Sequence, residues 1–267
     1  MTQPHTYVLI TGASAGIGAA LAREYARRGQ ALILLARRRD RLEALQSELS
    51  ASVACEILVA DLSDPSAPQH ISQHIKDKQW AIHGLVNNAG YGLPGKFHAP
   101  AWEEHARFLQ VMVTSVCELT WRLLPDMQAR GAGEILNVAS LAGHVPGSAG
   151  HTLYAASKSF MIKFSESLAL ENNSLGIRVS ALCPGFTFSE FHDVTGTRGQ
   201  VSKMPSWMWM QAEEVARQGI DALQAGHIVF VPGRINRLIK AVTQILPDRW
   251  MLKLVQKQSK NFRAIHD

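Results

Sequence analysis

The chain has 267 residues, 46% hydrophobic and 18% charged, enough to bury a full core as one α/β domain without requiring a second. Its formal charge of +5 comes from scattered Lys and Arg with no DNA- or RNA-reading motif, so nucleic acid is excluded as a partner and a basic surface suits an anionic cofactor equally well. Cys55, Cys117 and Cys183 lie in apolar runs without zinc or redox spacing, and no apolar run approaches the roughly eighteen residues of a membrane span; the start, Met1-Thr2-Gln3-Pro4-His5, lacks a leader pattern, and a cytoplasmic protein is expected.

The first strand-like run, 7–10, leads into TGASAGIG at 11–18 and then a helical pattern at 19–28. A glycine turn at a strand-to-helix junction is a dinucleotide signal. Without a Cβ at Gly12, Gly16 and Gly18 the backbone can approach a pyrophosphate, and the free N–H groups and dipole of the following helix stabilise its charge. Ile17, inside the turn, is grouped with these cofactor-binding residues. The second strand, 31–35, runs into Ala36-Arg37-Arg38-Arg39 with no acid before Asp40. An acid at that point accepts from the ribose 2′-hydroxyl of NAD, whereas Arg accommodates a 2′-phosphate. NADP(H) is therefore the expected cofactor, its phosphate held by Arg37 and Arg38 with help from the Ser14 hydroxyl, while Arg39 and Arg41 read as the start of a solvated helix face. A helix at 39–49 and a strand at 54–59 follow, and Asp61 with Leu62 is expected beside the adenine.

A helix at 68–79 carries His70 and His74 four residues apart, but with no third ligand they read as a solvated face and no metal is expected. The fourth strand, 84–87, closes in Asn87-Asn88-Ala89-Gly90, where small residues admit a cofactor and amides bond the neighbouring strand; Asn87, Ala89 and Gly90 are assigned to the cofactor site. A long helix at 102–129 and a strand at 133–138 precede Ser140. On the next helix, 152–172, Tyr154 and Lys158 are four apart and share a face. A free phenol titrates near about 10, and the Lys158 ammonium together with a positive nicotinamide ring is expected to lower that value. Tyr154 is then the proton donor or acceptor, Lys158 also holds the nicotinamide ribose, and Ser140 hydrogen-bonds the substrate oxygen. His144 and His151 flank this loop and read as polar loop residues close to substrate.

The sixth strand, 178–183, is followed by Pro184-Gly185 and Thr187. Residues 186–210 break the rhythm, and their Phe188, Phe191, Met204, Trp207, Met208, Trp209 and Met210, with Gly196 and Gly199 between them, predict a mobile lid over an apolar pocket. A helix at 212–225, a strand at 227–231 and a C-terminal helical extension at 234–267 complete the chain. In that extension Trp250, Met251, Leu254 and Val255 form an apolar side and Lys253, Lys257 and Lys260 a basic one, expected to pack on the domain itself or on a partner subunit, with peripheral contact to an anionic membrane as the lesser alternative. Alternating strands and helices imply a doubly wound parallel sheet of about seven strands with helices on both faces, as a single domain.

Taken jointly, the TGxxxGxG turn, Asn87-Asn88-Ala89-Gly90, Ser140, Tyr154-Ala155-Ala156-Ser157-Lys158 and Pro184-Gly185 with Thr187 resemble the short-chain dehydrogenase/reductase family over nearly the whole chain, in its NADP-preferring and shorter rather than extended form. The resemblance implies a Rossmann-like fold, hydride transfer to or from C4 of nicotinamide, Tyr154 as general acid/base, Pro184, Gly185 and Thr187 in the cofactor site, and homodimers or homotetramers packed through the helices at 102–129 and 152–172. One departure stands out: relatives usually carry an Asn where Met112 lies, its backbone carbonyl holding a water that links the Lys to solvent. A thioether cannot make an amide's hydrogen bonds, so the helix distortion there is expected to be lost, leaving an active enzyme with an altered proton relay to which Thr114 or Ser115 contributes. The leading expectation is reduction of a carbonyl compound with a substantial apolar part, or oxidation of the matching alcohol. Two alternatives are a weakly catalytic NADP-binding sensor or scaffold module, and a 3-oxoacyl-carrier-protein-type reductase whose Arg198 and Lys203 meet an acidic carrier.

Overall fold

In the computed structural model, which describes residues 6–150, 152–189, 205–247, 249–253 and 255–256, apolar runs and helical patterns alternate as expected. Strands β1 (Thr6–Thr11), β2 (Ala31–Ala36), β3 (Cys55–Val59), β4 (Ala81–Asn87), β5 (Gly133–Val138), β6 (Ile177–Leu182) and β9 (Val229–Phe230) form one parallel sheet in the order β3-β2-β1-β4-β5-β6-β9. Helices α1 (Gly16–Arg27), α2 (Arg39–Leu49), α3 (Ala67–Asp77), α5 (Ser115–Arg130), α6 (Thr152–Asn172) and α7 (Ala212–Gln224) cover it. Successive side chains of a strand point to opposite faces, and the core divides accordingly. Val8 and Ile10 of β1 pack with Leu21, Leu42 and Ile220 on the α1, α2 and α7 side. Tyr7 and Leu9 pack with Ile71, Leu119 and Leu168 on the α3, α5 and α6 side. Because both faces are covered, the central strands are buried along almost their whole length, which is why β2 reads Ala-Leu-Ile-Leu-Leu-Ala without alternation. The strand order reverses between β1 and β4, so the crevice opens at the carboxyl ends of these two strands.

Three elements differ from expectation. The last strand is two residues long, Val229–Phe230, rather than 227–231. A second, two-stranded parallel sheet joins β7 (Thr187–Phe188) to β8 (Met210–Gln211), tying together the two ends of the 186–210 segment. The helix expected at 102–129 is α4 (Trp102–Leu109), a π-turn at Gln110–Thr114, and then α5. Beyond β9, α8 (Arg234–Ile245) begins the C-terminal extension, and residues 249–253 are helical again.

Behind the crevice a chain of buried amides and hydroxyls joins the two long helices to the sheet. Asn87 Nδ2 donates to Thr120 Oγ1 at 3.2 Å and to Asn137 Oδ1 at 2.8 Å, and Asn137 Nδ2 donates to Ser165 Oγ at 2.8 Å. Ser165 in turn donates to the Met161 carbonyl. A buried polar group left without its partner costs about 1–3 kcal/mol. Asn137→Ala removes the acceptor for Asn87 and a donor to Ser165 in one step. It is expected to lower unfolding free energy by about 1–3 kcal/mol or more in a urea titration; an unchanged midpoint would show that these bonds carry no stability.

Candidate active site

The glycine turn is locked to the end of β4 before any ligand arrives. Thr11 Oγ1 donates to the Val86 carbonyl at 3.1 Å and accepts from the backbone N–H groups of Asn88 and Ala89, each at 3.0 Å. Asn88 Nδ2 donates back to the carbonyls of Thr11 at 2.9 Å and Gly12 at 3.2 Å. That mutual contact leaves no room for side chains. A Cβ on Gly12, where φ is +67°, would sit 2.8 Å from the Ala89 Cα, and one on Gly18 would run into the Gly12 carbonyl. Helix α1 then starts at Gly16 with no side-chain cap on its first amides. Exposed helix N–H groups behind a Cβ-free turn suit a pyrophosphate, so the residues present fit the dinucleotide expected from the sequence. Ile17 packs against the core under this turn. Thr11 and Asn88 are the residues that sequence reasoning passed over; the Asn-Asn pair was visible, but which amide faces the turn was not.

At the end of β2, Ala36 is buried and carries no acid. Arg37 and Arg38 are both exposed and diverge. Arg38 reaches across to the glycine turn, its guanidinium 3.1 Å from Ser14 Oγ and 3.5 Å from the Ser14 carbonyl. Arg37 lies 3.7 Å from the Asp61 carboxylate past β3. The structure thus brings Ser14 and Arg38 together and sets Arg37 with Asp61, whereas both arginines were expected at the phosphate. Leu62 is buried, and its carbonyl accepts from Ser115 Oγ at 2.8 Å.

Asn87, assigned to the cofactor from its place in the motif, has its side chain turned away from the crevice. It is buried and its amide is committed to Thr120 and Asn137, so it fixes the strand end from behind. Ala89 and Gly90 form the floor, and a Cβ on Gly90 would come 2.9 Å from the Met112 sulfur. Met112 sits in the π-turn whose loss was expected. The turn persists because Ser115 holds it: its backbone N–H donates to the Gln110 carbonyl, five residues back, and its hydroxyl accepts from Gln110 Nε2 at 3.2 Å while donating to Leu62. Side-chain hydrogen bonds from Gln110 and Ser115 therefore do what an amide at position 112 was expected to do. Buried Ser115 is occupied by these bonds, which places it in the support of the turn.

Ser140, Tyr154 and Lys158 converge at the ends of β5 and β6. Ser140 leaves β5 in an extended conformation, accepts from the Ala142 N–H at 3.1 Å and hydrogen-bonds the Tyr154 phenol. Lys158 is only 5% exposed; its Nζ donates to the Val138 carbonyl at 2.7 Å and lies 5.8 Å from the centre of the Tyr154 ring. Burial raises the Tyr154 phenol above its ordinary value, with the Ser140 hydrogen bond pulling the other way. Burial also pushes the Lys158 ammonium down to about 8. The lowering expected from Lys158 together with a nicotinamide ring is not seen in the protein alone, where desolvation raises the phenol. Pro184 accepts from the Leu141 N–H at 2.8 Å, Thr187 Oγ1 donates to the Gly185 carbonyl at 3.2 Å, and a Cβ on Gly185 would overlap Asn236 of α8.

Around this centre, burial and the nearby Lys240 push His144 down to about 4, leaving a neutral imidazole at the crevice edge; His151 lies outside the described residues. His74 of α3 packs edge-on against Trp80. Among the described residues no group of three or more His, Cys, Asp or Glu gathers for a metal, and no helix is long and apolar enough to cross a membrane. Of the lid residues, Phe191, Gly196, Gly199 and Met204 lie outside the described residues. The anchored ends place Phe188 stacked 4.8 Å from Trp209, and Ser189 close against Gly16. Phe188 and Trp207 are exposed, whereas Met210 packs on the core.

Comparison with known proteins agrees with this geometry. Residues 6–198 match the short chain dehydrogenase family. Oxidoreductase UcpA of Escherichia coli (strain K12) is 32% identical over 222 residues, 82% of this chain and 84% of that protein. A short-chain dehydrogenase from Sphingobium yanoikuyae, solved in complex with NADPH, superposes with a TM-score of 0.79 at 30% identity, covering 91% of this chain and 96% of that one. The bulky-bulky ketone specific alcohol dehydrogenase from Comamonas testosteroni superposes with a TM-score of 0.75 at 27% identity, covering 98% and 96%. A glycine cradle at the strand reversal, a Ser-Tyr-Lys centre beside it and these matches together make the chain a member of the short-chain dehydrogenase family, a family of nicotinamide-dependent oxidoreductases.

Proposed function

We propose that this protein is an NADP(H)-preferring oxidoreductase that interconverts a carbonyl and an alcohol on a substrate with a substantial apolar part. The observation that carries the cofactor half is the approach of Arg38 to Ser14 beside the glycine turn, with no acid at Ala36. Two donors at that point suit the 2′-phosphate, while Arg37 turns to the Asp61 carboxylate. The Sphingobium neighbour, solved with NADPH, supports the same reading. The substrate half rests on Phe188, Trp207 and Trp209 at the anchored ends of the 186–210 segment, and is in keeping with the bulky ketones named for the Comamonas neighbour.

When bound, the cofactor supplies or takes up the hydride at its nicotinamide. The protein's residues handle the proton and the oxygen. Ser140 holds the substrate oxygen as charge develops on it, and Tyr154, whose proton burial holds more tightly, gives that oxygen its proton in the reducing direction. Lys158, anchored on Val138, positions the ribose and keeps a positive charge beside the phenol as it loses its proton. Thr11 and Asn88 keep the turn rigid so that these groups meet the same point. Leu170 on α6 and Trp121 on α5, which is 70% exposed, support assembly into a homodimer or homotetramer through these two helices.

NADPH is expected to bind at least about tenfold more tightly than NADH, and Arg38→Asp to abolish most of that difference, since a charge-assisted hydrogen bond is worth about 1.5–3 kcal/mol. Fluorescence titration with both cofactors reads this directly, and equal affinities in the wild type would remove the assignment.

Tyr154→Phe should cut turnover by about 10²–10⁴ while leaving NADPH affinity near wild type, because only the transferable proton is removed. Retention of most of the rate would point to a different acid.

Lys158 also makes a pH prediction. Its folded value near 8 lies below the ordinary 10.5, so between these limits the unfolded chain holds the proton and the cofactor-free fold has released it. Stability from this group therefore rises with pH across that window and is lowest below it. The difference in unfolding free energy between wild type and Lys158→Met should shift in favour of wild type from pH 8 upward; a difference that is flat with pH contradicts the buried ammonium.

A further inference from the structure

The chain's positive charge is not spread evenly. Residues 234–267 contain eight Lys or Arg and two Asp, a net of +6, out of 27 and 22 in the whole chain; the preceding 233 residues therefore carry 19 against 20, a net of −1. All the excess charge lies in the C-terminal extension. Its first helix, α8, has no acidic residue. Ile235, Leu238, Val242 and Ile245 recur at spacings of three and four, so they form one stripe. That stripe faces outward: Leu238 is 64% and Ile245 80% exposed, and Asn236 is the buried residue of the helix. Arg234 and Arg237, both exposed, border the stripe, and the helical residues after α8 again expose apolar Trp250 and Leu252 with Arg249 and Lys253.

A helix that docks on its domain through Asn236 and turns Ile235, Leu238, Val242 and Ile245 to solvent is built for an external apolar phase. Its rim of cations adds an anionic requirement. Two copies meeting face to face through this stripe would bring like-charged segments together, against the charge balance. Nucleic acid would satisfy the cations and leave Leu238, Ile245 and Trp250 in water. A bilayer of anionic phospholipid satisfies both, taking the apolar stripe below its headgroups while Arg and Lys reach the phosphates and Trp lies at the interface. We propose that α8 and the helical residues after it seat this protein peripherally on an anionic phospholipid surface. Asn236 packs directly behind the Gly185 turn, so the helix that meets the lipid is also part of the crevice wall. The proposal stands apart from the cofactor assignment, which it does not use.

The test is co-sedimentation of the full chain with vesicles of phosphatidylcholine alone and of equimolar phosphatidylcholine and phosphatidylglycerol, at low and high salt. The expected result is binding to the anionic vesicles alone, weakened by salt. Each basic residue near the surface is worth roughly fivefold in partitioning, so Arg234→Gln with Arg237→Gln should reduce it about 20-fold or more. Leu238→Ser with Ile245→Ser should abolish it while turnover and thermal unfolding stay at wild type, since both side chains are exposed and neither touches the site. No binding to anionic vesicles, equal binding to both vesicle types, or a serine variant that still binds while its oligomer falls apart would overturn the proposal, the last by showing that the stripe is a subunit contact.

Discussion

The Thr11 hydroxyl joins the two strand ends on which the crevice depends. By donating to Val86 and accepting from Asn88 and Ala89, it welds the glycine turn after β1 to the end of β4 at the point where the strand order reverses. The weld is tight enough that neither Gly12 nor Gly18 tolerates a Cβ, and it leaves the first amides of α1 without a side-chain cap. An anion-binding cradle is therefore a consequence of how two strands are fastened, not an addition to them. The deeper chain from Asn87 through Asn137 to Ser165 fastens the same strand end to the long helices from behind, and α6 carries Tyr154 and Lys158.

The electrostatics of the centre follow from burial more than from pairing. Lys158 and Tyr154 face each other, yet each is shifted toward its neutral form, because removing water penalises both charges at once. A bound nicotinamide and substrate would change that environment; the protein alone holds the Tyr154 phenol in its protonated state, the form that the proposed reduction needs. The same logic makes His144 neutral at neutral pH.

The sheet was legible because a doubly wound fold writes each buried strand as a continuous apolar run, and the meeting of Tyr154 with Lys158 was legible because a spacing of four puts two side chains on one face of a helix. What escaped were relations between segments. The sequence could not say that Arg38, and not Arg37, leans on Ser14, since one residue changes a side chain's direction at the end of a strand. Nor could it say that Asn87 points into the core while Asn88 points at the turn. Met112 was read by itself and the distortion around it was expected to vanish; the hydrogen bonds that keep the π-turn belong to Gln110 and Ser115, on either side of it. The amphipathic signal at Trp250 was noted, but the more exposed stripe on α8 requires knowing that the helix docks by its polar edge.

The central claim is that one rigid crevice holds the phosphate of NADPH at Ser14 and Arg38 and presents its nicotinamide to Tyr154. A crystal structure of the protein with NADPH measures this most directly. The account predicts the 2′-phosphate hydrogen-bonded to Ser14 Oγ and the Arg38 guanidinium, with Thr11 and Asn88 unmoved and the nicotinamide beside the Tyr154 hydroxyl. A 2′-phosphate left in solvent, or a nicotinamide turned away from Tyr154, would contradict it.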